Sequence, residues 1–174
     1  MKKSERSAYL RNRLAFASLF CGWLMLVPFK LCGQIIDYSP PLEKLKVTSP
    51  FGYRIHPISG KASHHSGVDF AARSDPVFCV IDGSVKKSGK HKLLGKYIHI
   101  VHGKVETIYG HLSHILVSKG DTVIAGQPIA ITGNTGSVTG EHLHFSVKFN
   151  DRFLDPLKFL RRLREQSDQS LNIE

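Results

Sequence analysis

Glu141-His-Leu-His-Phe-Ser-Val-Lys-Phe149 alternates polar and apolar residues with a period of two, the pattern of a β-strand that turns one face to a core. On such a strand His142 and His144 share a face, while Leu143, Phe145, Val147 and Phe149 supply apolar anchors. Far upstream, His65-Ser-Gly-Val-Asp69 sets an imidazole and a carboxylate four residues apart, with Gly67 allowing a tight path between them. Zinc takes neutral imidazole nitrogens and carboxylate oxygens in a tetrahedral shell, and a catalytic site leaves one position open. Two histidines and Asp69 make such a set, and the fourth residue is left for acid/base work.

Two further segments give this pattern its context. His111 stands in Thr107-Ile-Tyr-Gly-His-Leu-Ser113, at the end of another strand-like run, and Gly133-Asn-Thr-Gly-Ser-Val-Thr-Gly140 is a glycine-rich loop leading into the His142 strand. A lone His-x-His pair is more often a surface or core feature than a metal site. Here it is one of several chemistry-bearing segments in a short chain.

Taken in order, Ser49-Pro-Phe-Gly-Tyr-Arg-Ile-His-Pro57, His65-Ser-Gly-Val-Asp-Phe-Ala-Ala72, Asp82-Gly83, Tyr109-Gly-His-Leu-Ser113, Val117-Ser-Lys-Gly-Asp-Thr-Val-Ile-Ala-Gly-Gln127, Gly133-Asn-Thr-Gly136 and Glu141-His-Leu-His-Phe145 closely resemble the lysostaphin-type, or LytM-type, zinc metallopeptidases of bacterial peptidoglycan. The resemblance spans roughly residues 47 to 158. It implies a mainly β domain of antiparallel, sandwich-like sheets in a duplicated hybrid motif with a short C-terminal helix. It further implies one zinc per chain held by His65, Asp69 and His144, with His142 and His111 as the non-ligand catalytic histidines. His142 is the expected acceptor of the water proton, and His111 is expected to orient water or stabilise the oxyanion. Members of this family that regulate other wall hydrolases typically lack metal ligands, whereas every motif position is filled here. A non-catalytic wall-binding module that activates other hydrolases is the alternative. Two departures stand out. Ala71-Ala-Arg-Ser-Asp-Pro-Val77 is one residue short of the common form, and Leu94-Gly-Lys-Tyr97 replaces a glycine-rich turn. Both are expected to lie away from the metal residues.

His56, His64, His91, His99, His102 and His114 are expected in loops or at exposed strand positions. His64 is the one competitor for a ligand role, but only His65 has Gly at +2 and Asp at +4. Tyr53 and Arg54 are candidates to line a substrate groove, with packing or turn roles equally open.

The N-terminus reads separately. Lys2, Lys3, Arg6, Arg11 and Arg13 precede a mostly apolar run from Leu14 to Phe29, the n-region and h-region of a secretory signal. Cleavage after Gly33 is expected, with an uncleaved membrane anchor as the alternative. Removing residues 1–33 takes away six basic residues and one acidic residue, so the formal charge falls from +10 to about +5. The remaining basic surface, including Arg161, Arg162 and Arg164, suits an anionic cell wall. No nucleic-acid-binding motif accompanies the sequence pI of ≈ 9.7. The expected partners are peptidoglycan stem peptides or cross-bridges, met by an exported monomer in the periplasm or cell envelope. Cys79, in Val77-Phe-Cys-Val-Ile81, reads as a small buried hydrophobe and not as a catalytic thiol.

Residues 34–46 read as a Pro-containing linker, 47–165 as the catalytic domain and 166–174 as a frayed tail. Strands are expected at 77–81, 83–87, 97–102, 105–110, 128–132 and 142–149, the third and fourth forming a hairpin through Gly103. Asp155 and Pro156 are expected to start a helix carrying Leu157, Phe159, Leu160 and Leu163 on its packed side. The run Val117 to Ile129 also resembles half-motifs of biotinyl and lipoyl carrier domains, but it presents no lysine in the matching setting, and a carrier has no use for the five site residues.

Overall fold

The computed structural model of the 174-residue chain describes residues 37–55 and 60–171. The expected signal or anchor segment at 1–33 lies outside the described residues, as does His56. Among the described residues no helix is long and apolar enough to cross a membrane.

An eight-stranded antiparallel sheet carries the site. Its path runs β1 (Val47–Ser49), β4 (Val68–Ala71), β12 (His142–Phe149), β8 (Val105–Leu112), β7 (Gly95–His102), β6 (Gly83–His91) and β10 (Thr122–Val123), with β13 (Arg152–Leu154) pairing β12. A three-stranded sheet holds β5 (Pro76–Phe78), β11 (Pro128–Ile131) and β9 (His114–Ile115), and β2 (Gly52–Ile55) pairs β3 (Ala62–His65) as a separate ribbon.

The period of two sorts the large sheet into an apolar and a chemical face. Leu143, Phe145 and Val147 are fully buried and share one core with Phe70, Val68, Tyr109, Ile98 and Ile100 of the neighbouring strands. Val77, Ile129 and Ala130 of the three-stranded sheet join the same core. Each such side chain contributes roughly 1.5–3 kcal/mol by leaving water, and the Phe145 and Tyr109 rings pack at 5.3 Å. The intervening residues face the other way. In register across three strands, Asp69 of β4 opposes His144 of β12, which opposes Gly110 of β8. That row is the floor of the site.

The hairpin through Gly103 forms as expected, β7 pairing β8 from Ile98↔Tyr109 to His102↔Val105, with Gly103 at φ 66° supplying the left-handed turn. The helix α1 (Pro156–Leu171) is capped by Asp155, whose Oδ1 accepts the Leu157 and Lys158 amides at 3.0 and 3.4 Å. It buries Leu160 and Leu163, sets Leu157 and Phe159 against the core, and packs on β12.

Three features differ from the sequence reading. Residues 38–42, read as linker, are fastened to the domain: Leu42 is buried, Ser39 N–H donates to Val80 O, and Phe78 N–H donates to Pro41 O. The helix continues through residues read as a frayed tail. His99 is buried rather than exposed, its Nδ1 in close contact with Glu106, whose other oxygen takes Lys86 Nζ at 2.9 Å.

Candidate metal centre

Four backbone or side-chain partners determine how the histidines present themselves. His65 Nδ1–H donates to Pro50 O at 2.9 Å, His142 Nδ1–H to Gly140 O at 2.8 Å and His111 Nδ1–H to Thr135 O at 2.9 Å. A carbonyl accepts only, so in the neutral ring each Nε2 is left with its lone pair. His144 is turned the other way, with Nε2 2.9 Å from Ser146 Oγ and Nδ1 directed at Asp69. Such outer partners set both tautomer and ring orientation.

His65, Asp69 and His144 converge and are all buried. His144 Nδ1 lies 2.8 Å from Asp69 Oδ1, His65 Nε2 lies 3.1 Å from His144 Nδ1, and His65 Nε2 lies 3.2 Å from Asp69 Oδ1. His65 Nε2 and the carboxylate oxygen are both electron donors, so a cation between them relieves their mutual repulsion. An ideal zinc tetrahedron with bonds of ~2.0–2.1 Å has edges of about 3.3 Å, close to this triangle. The three residues therefore fit a metal ion. Burial alone would raise the Asp69 carboxyl, but the His144 Nδ1–H directed at it, and the charge that His144 or His65 carries when protonated, hold it well below the usual carboxylate range.

The two other histidines stand above this triangle. His142 Nε2 is 3.7 Å from Asp69 Oδ1, and the His111 ring lies 4.6 Å from the His142 ring and 5.7 Å from that of His144, centroid to centroid. Burial pushes His111 down to about 4, against the pull of its Thr135 hydrogen bond. His111 also has φ 61°, a left-handed conformation that L-residues rarely adopt and that is retained where surrounding contacts over-determine it. Those contacts are visible: His111 N–H donates to Leu94 O at 2.7 Å, and Thr135, beyond its carbonyl, sends Oγ1–H to Leu112 O at 2.8 Å.

Two glycines make room. A Cβ at Gly67 would come within 2.5–2.7 Å of Ser146 Oγ and the His144 ring, and one at Gly110 would press on Leu94 and His144 at 3.2 and 3.4 Å.

All five sequence candidates thus line one cleft of ≈ 760 Å³, together with Arg54, His64, Leu93, Leu94 and Ser137–Thr139. His64 lines the cleft but is not part of the buried triangle, its ring standing edge-on to Phe51 and Tyr53. Arg54 lines the cleft, whereas Tyr53 is exposed. The segment at Leu94 lines the cleft and holds the His111 backbone, which is not one of the three expected ligands. Ser146 and the carbonyls of Pro50, Thr135 and Gly140 were not singled out in the sequence. Ser146 was open to detection, since it shares the His144 face two residues on; a carbonyl has no side-chain signature.

The profile of Peptidase family M23 matches residues 63–156. Over 123 residues the chain is 43% identical to a protein of Vibrio cholerae named peptidoglycan DD-endopeptidase ShyB, covering 68% of this chain and 29% of that one. Among solved structures, a zinc-containing peptidase from Vibrio cholerae is 42% identical with a TM-score of 0.63 over 66% of this chain and 37% of its own. The catalytic domain of the antimicrobial peptidase lysostaphin from Staphylococcus simulans is 31% identical with a TM-score of 0.66, covering 72% of this chain and 99% of that domain. The curated relatives are longer proteins, of which this chain spans from 27% to 32%.

Proposed function

The chain belongs to Peptidase family M23, and from that membership we propose that it is a zinc-dependent endopeptidase that hydrolyses peptide cross-links of bacterial peptidoglycan. The observation that carries this reading is the buried convergence of His65, Asp69 and His144 beneath two further histidines in an open cleft. Relatives named peptidoglycan DD-endopeptidases support the substrate class, and a cell-envelope location follows from that substrate.

His65 Nε2, Asp69 Oδ1 and His144 Nδ1 would hold one Zn2+. When bound, the ion supplies a Lewis acid that polarises the scissile carbonyl and brings the pKa of water toward ~7. The remaining work falls to the protein. His142, with Nδ1–H committed to Gly140 O, offers Nε2 as the base that takes the proton from the attacking water. The imidazolium so formed is the acid that returns this proton to the leaving amine. His111, with Nδ1–H committed to Thr135 O, likewise presents Nε2 as an acceptor and fixes the direction of the water. The cleft holds the peptide across both rings.

The test is mass spectrometry of fragments released from purified peptidoglycan by the 174-residue chain. New amino termini identify the bond cut, and their absence with zinc-loaded protein would remove the enzymatic reading.

A further inference from the structure

Arg54 is placed in the cleft without a task that the proposed hydrolysis uses. It lies on β2, opposite Ser63 of β3, and its Nη2 approaches Oδ2 of Asp69, whereas His65, His142 and His144 approach Oδ1. Arg54 Nη2 is 3.8 Å from Asp69 Oδ2, beyond hydrogen-bond reach, and Arg54 Nε is buried without a hydrogen-bond partner among the described residues. A guanidinium carries five N–H donors in a planar fork, and an unpaired buried donor is unfavourable.

The charge balance points to the kind of ligand. Among the described residues lining the cleft, Arg54 is the only Arg or Lys and Asp69 the only carboxylate. With a divalent cation in place, Asp69 is already offset, so the Arg54 charge is left without a counter-ion next to the reacting centre. A carboxylate matches that fork with two parallel hydrogen bonds, whereas a neutral amide accepts at one oxygen only.

Resting on the peptidase reading above, we propose that Arg54 is a specificity-determining residue that docks a free carboxylate on the residue adjoining the scissile bond. The substrates are then peptides that are anionic beside the cut, and amidation of that carboxylate weakens binding. Relatives named DD-carboxypeptidase/endopeptidase agree with this chemistry, since a carboxypeptidase acts beside a carboxylate.

The test reads binding, so it does not depend on turnover. Zinc-loaded protein is titrated at pH 7.5 with acetyl-D-Ala-D-Ala and with its terminal carboxamide, following cleft resonances by NMR. The wild type is expected to bind the acid at least ~10-fold more tightly, on the scale of a charge-assisted bidentate contact. Arg54→Gln brings the ratio to about one, and Arg54→Lys, which keeps charge but loses the fork, lies between. Zinc content is measured on each protein. A wild type indifferent to the carboxylate, or an undiminished ratio in Arg54→Gln, overturns the proposal. Loss of zinc with the ratio retained would make Arg54 a support for Asp69 instead. If Arg54→Gln does not fold, the wild-type ratio and Arg54→Lys decide. A peptidase failure shows separately, as peptide bound with the expected ratio but never cut.

Discussion

His144 and Asp69 stand directly opposite each other on neighbouring antiparallel strands, with Nδ1 of one 2.8 Å from Oδ1 of the other. Cross-strand register therefore builds two thirds of the proposed metal triangle, and only His65 must be delivered from another element, the β2–β3 ribbon. His142 and His111 reach the same cleft differently, one by strand periodicity and the other through a strained backbone.

This division separates two kinds of loss. His144→Ala is expected to abolish zinc binding and activity together. His142→Ala is expected to retain zinc while lowering turnover by roughly 10²–10⁴-fold, the range for a general base. Elemental analysis beside a turnover assay distinguishes them, and equal zinc loss in both variants would contradict the assigned roles.

Ser146 holds His144 Nε2, and Gly67 leaves room for that contact. Ser146→Ala should weaken zinc affinity by about 10–100-fold, the usual effect of removing an outer hydrogen bond to a ligand. Gly67→Ala should cost at least as much, because its Cβ meets the ring itself. Competition with a zinc-sensitive dye reads both.

The left-handed conformation of His111 can be tested apart from its chemistry. His111→Ala and His111→Gly both lose the imidazole, but only Ala retains the conformational penalty, so the Gly variant should be more stable by about 1 kcal/mol. Urea denaturation of the two proteins gives the difference. An Ala variant of equal or greater stability would mean that the φ is not strained.

Burial lowers His99 and His102 below the ordinary histidine value, in His99 against the opposing pull of Glu106. Unfolding restores ordinary basicity, so the unfolded chain binds more protons over the window between the lowered values and ~6.5. The stability due to their neutral forms is complete above that window and lost as pH falls through it. Thermal midpoints of metal-free protein should therefore decline on acidification from pH 7, and His102→Gln should decline less steeply.

Cys79 is fully buried, its thiol pushed up to about 11 chiefly by desolvation. Labelling of native protein by iodoacetamide at pH 8 should be slower than that of urea-unfolded protein by at least 10²-fold, since the thiolate is the nucleophile. Equal rates would show an accessible thiol.

Much of this was legible where side chains carry the signal. Alternation exposed β12 and the β7–β8 hairpin, and residue type with spacing exposed the five site candidates. The strands β1 to β4 were missed because they are three or four residues long, so too few positions establish a period. Bulges between Val85 and Lys87 and between Lys96 and Ile98 shift register without any compositional mark. The clamps on His65, His111 and His142 are carbonyls, which every residue has. The apolar residues Tyr38 and Leu42, which fasten residues 38–42 to the core, flank Ser39 and the prolines 40 and 41, so the stretch has the composition of a linker.

The most direct measurement takes one sample of the 174-residue chain, determines its zinc content, and follows release of new amino termini from purified peptidoglycan with and without a chelator. The account predicts about one zinc per chain, release that stops on chelation and returns with added zinc, and neither zinc nor release in His144→Ala. Full hydrolysis by His144→Ala, or release indifferent to chelation, would contradict a catalytic metal centre at His65, Asp69 and His144.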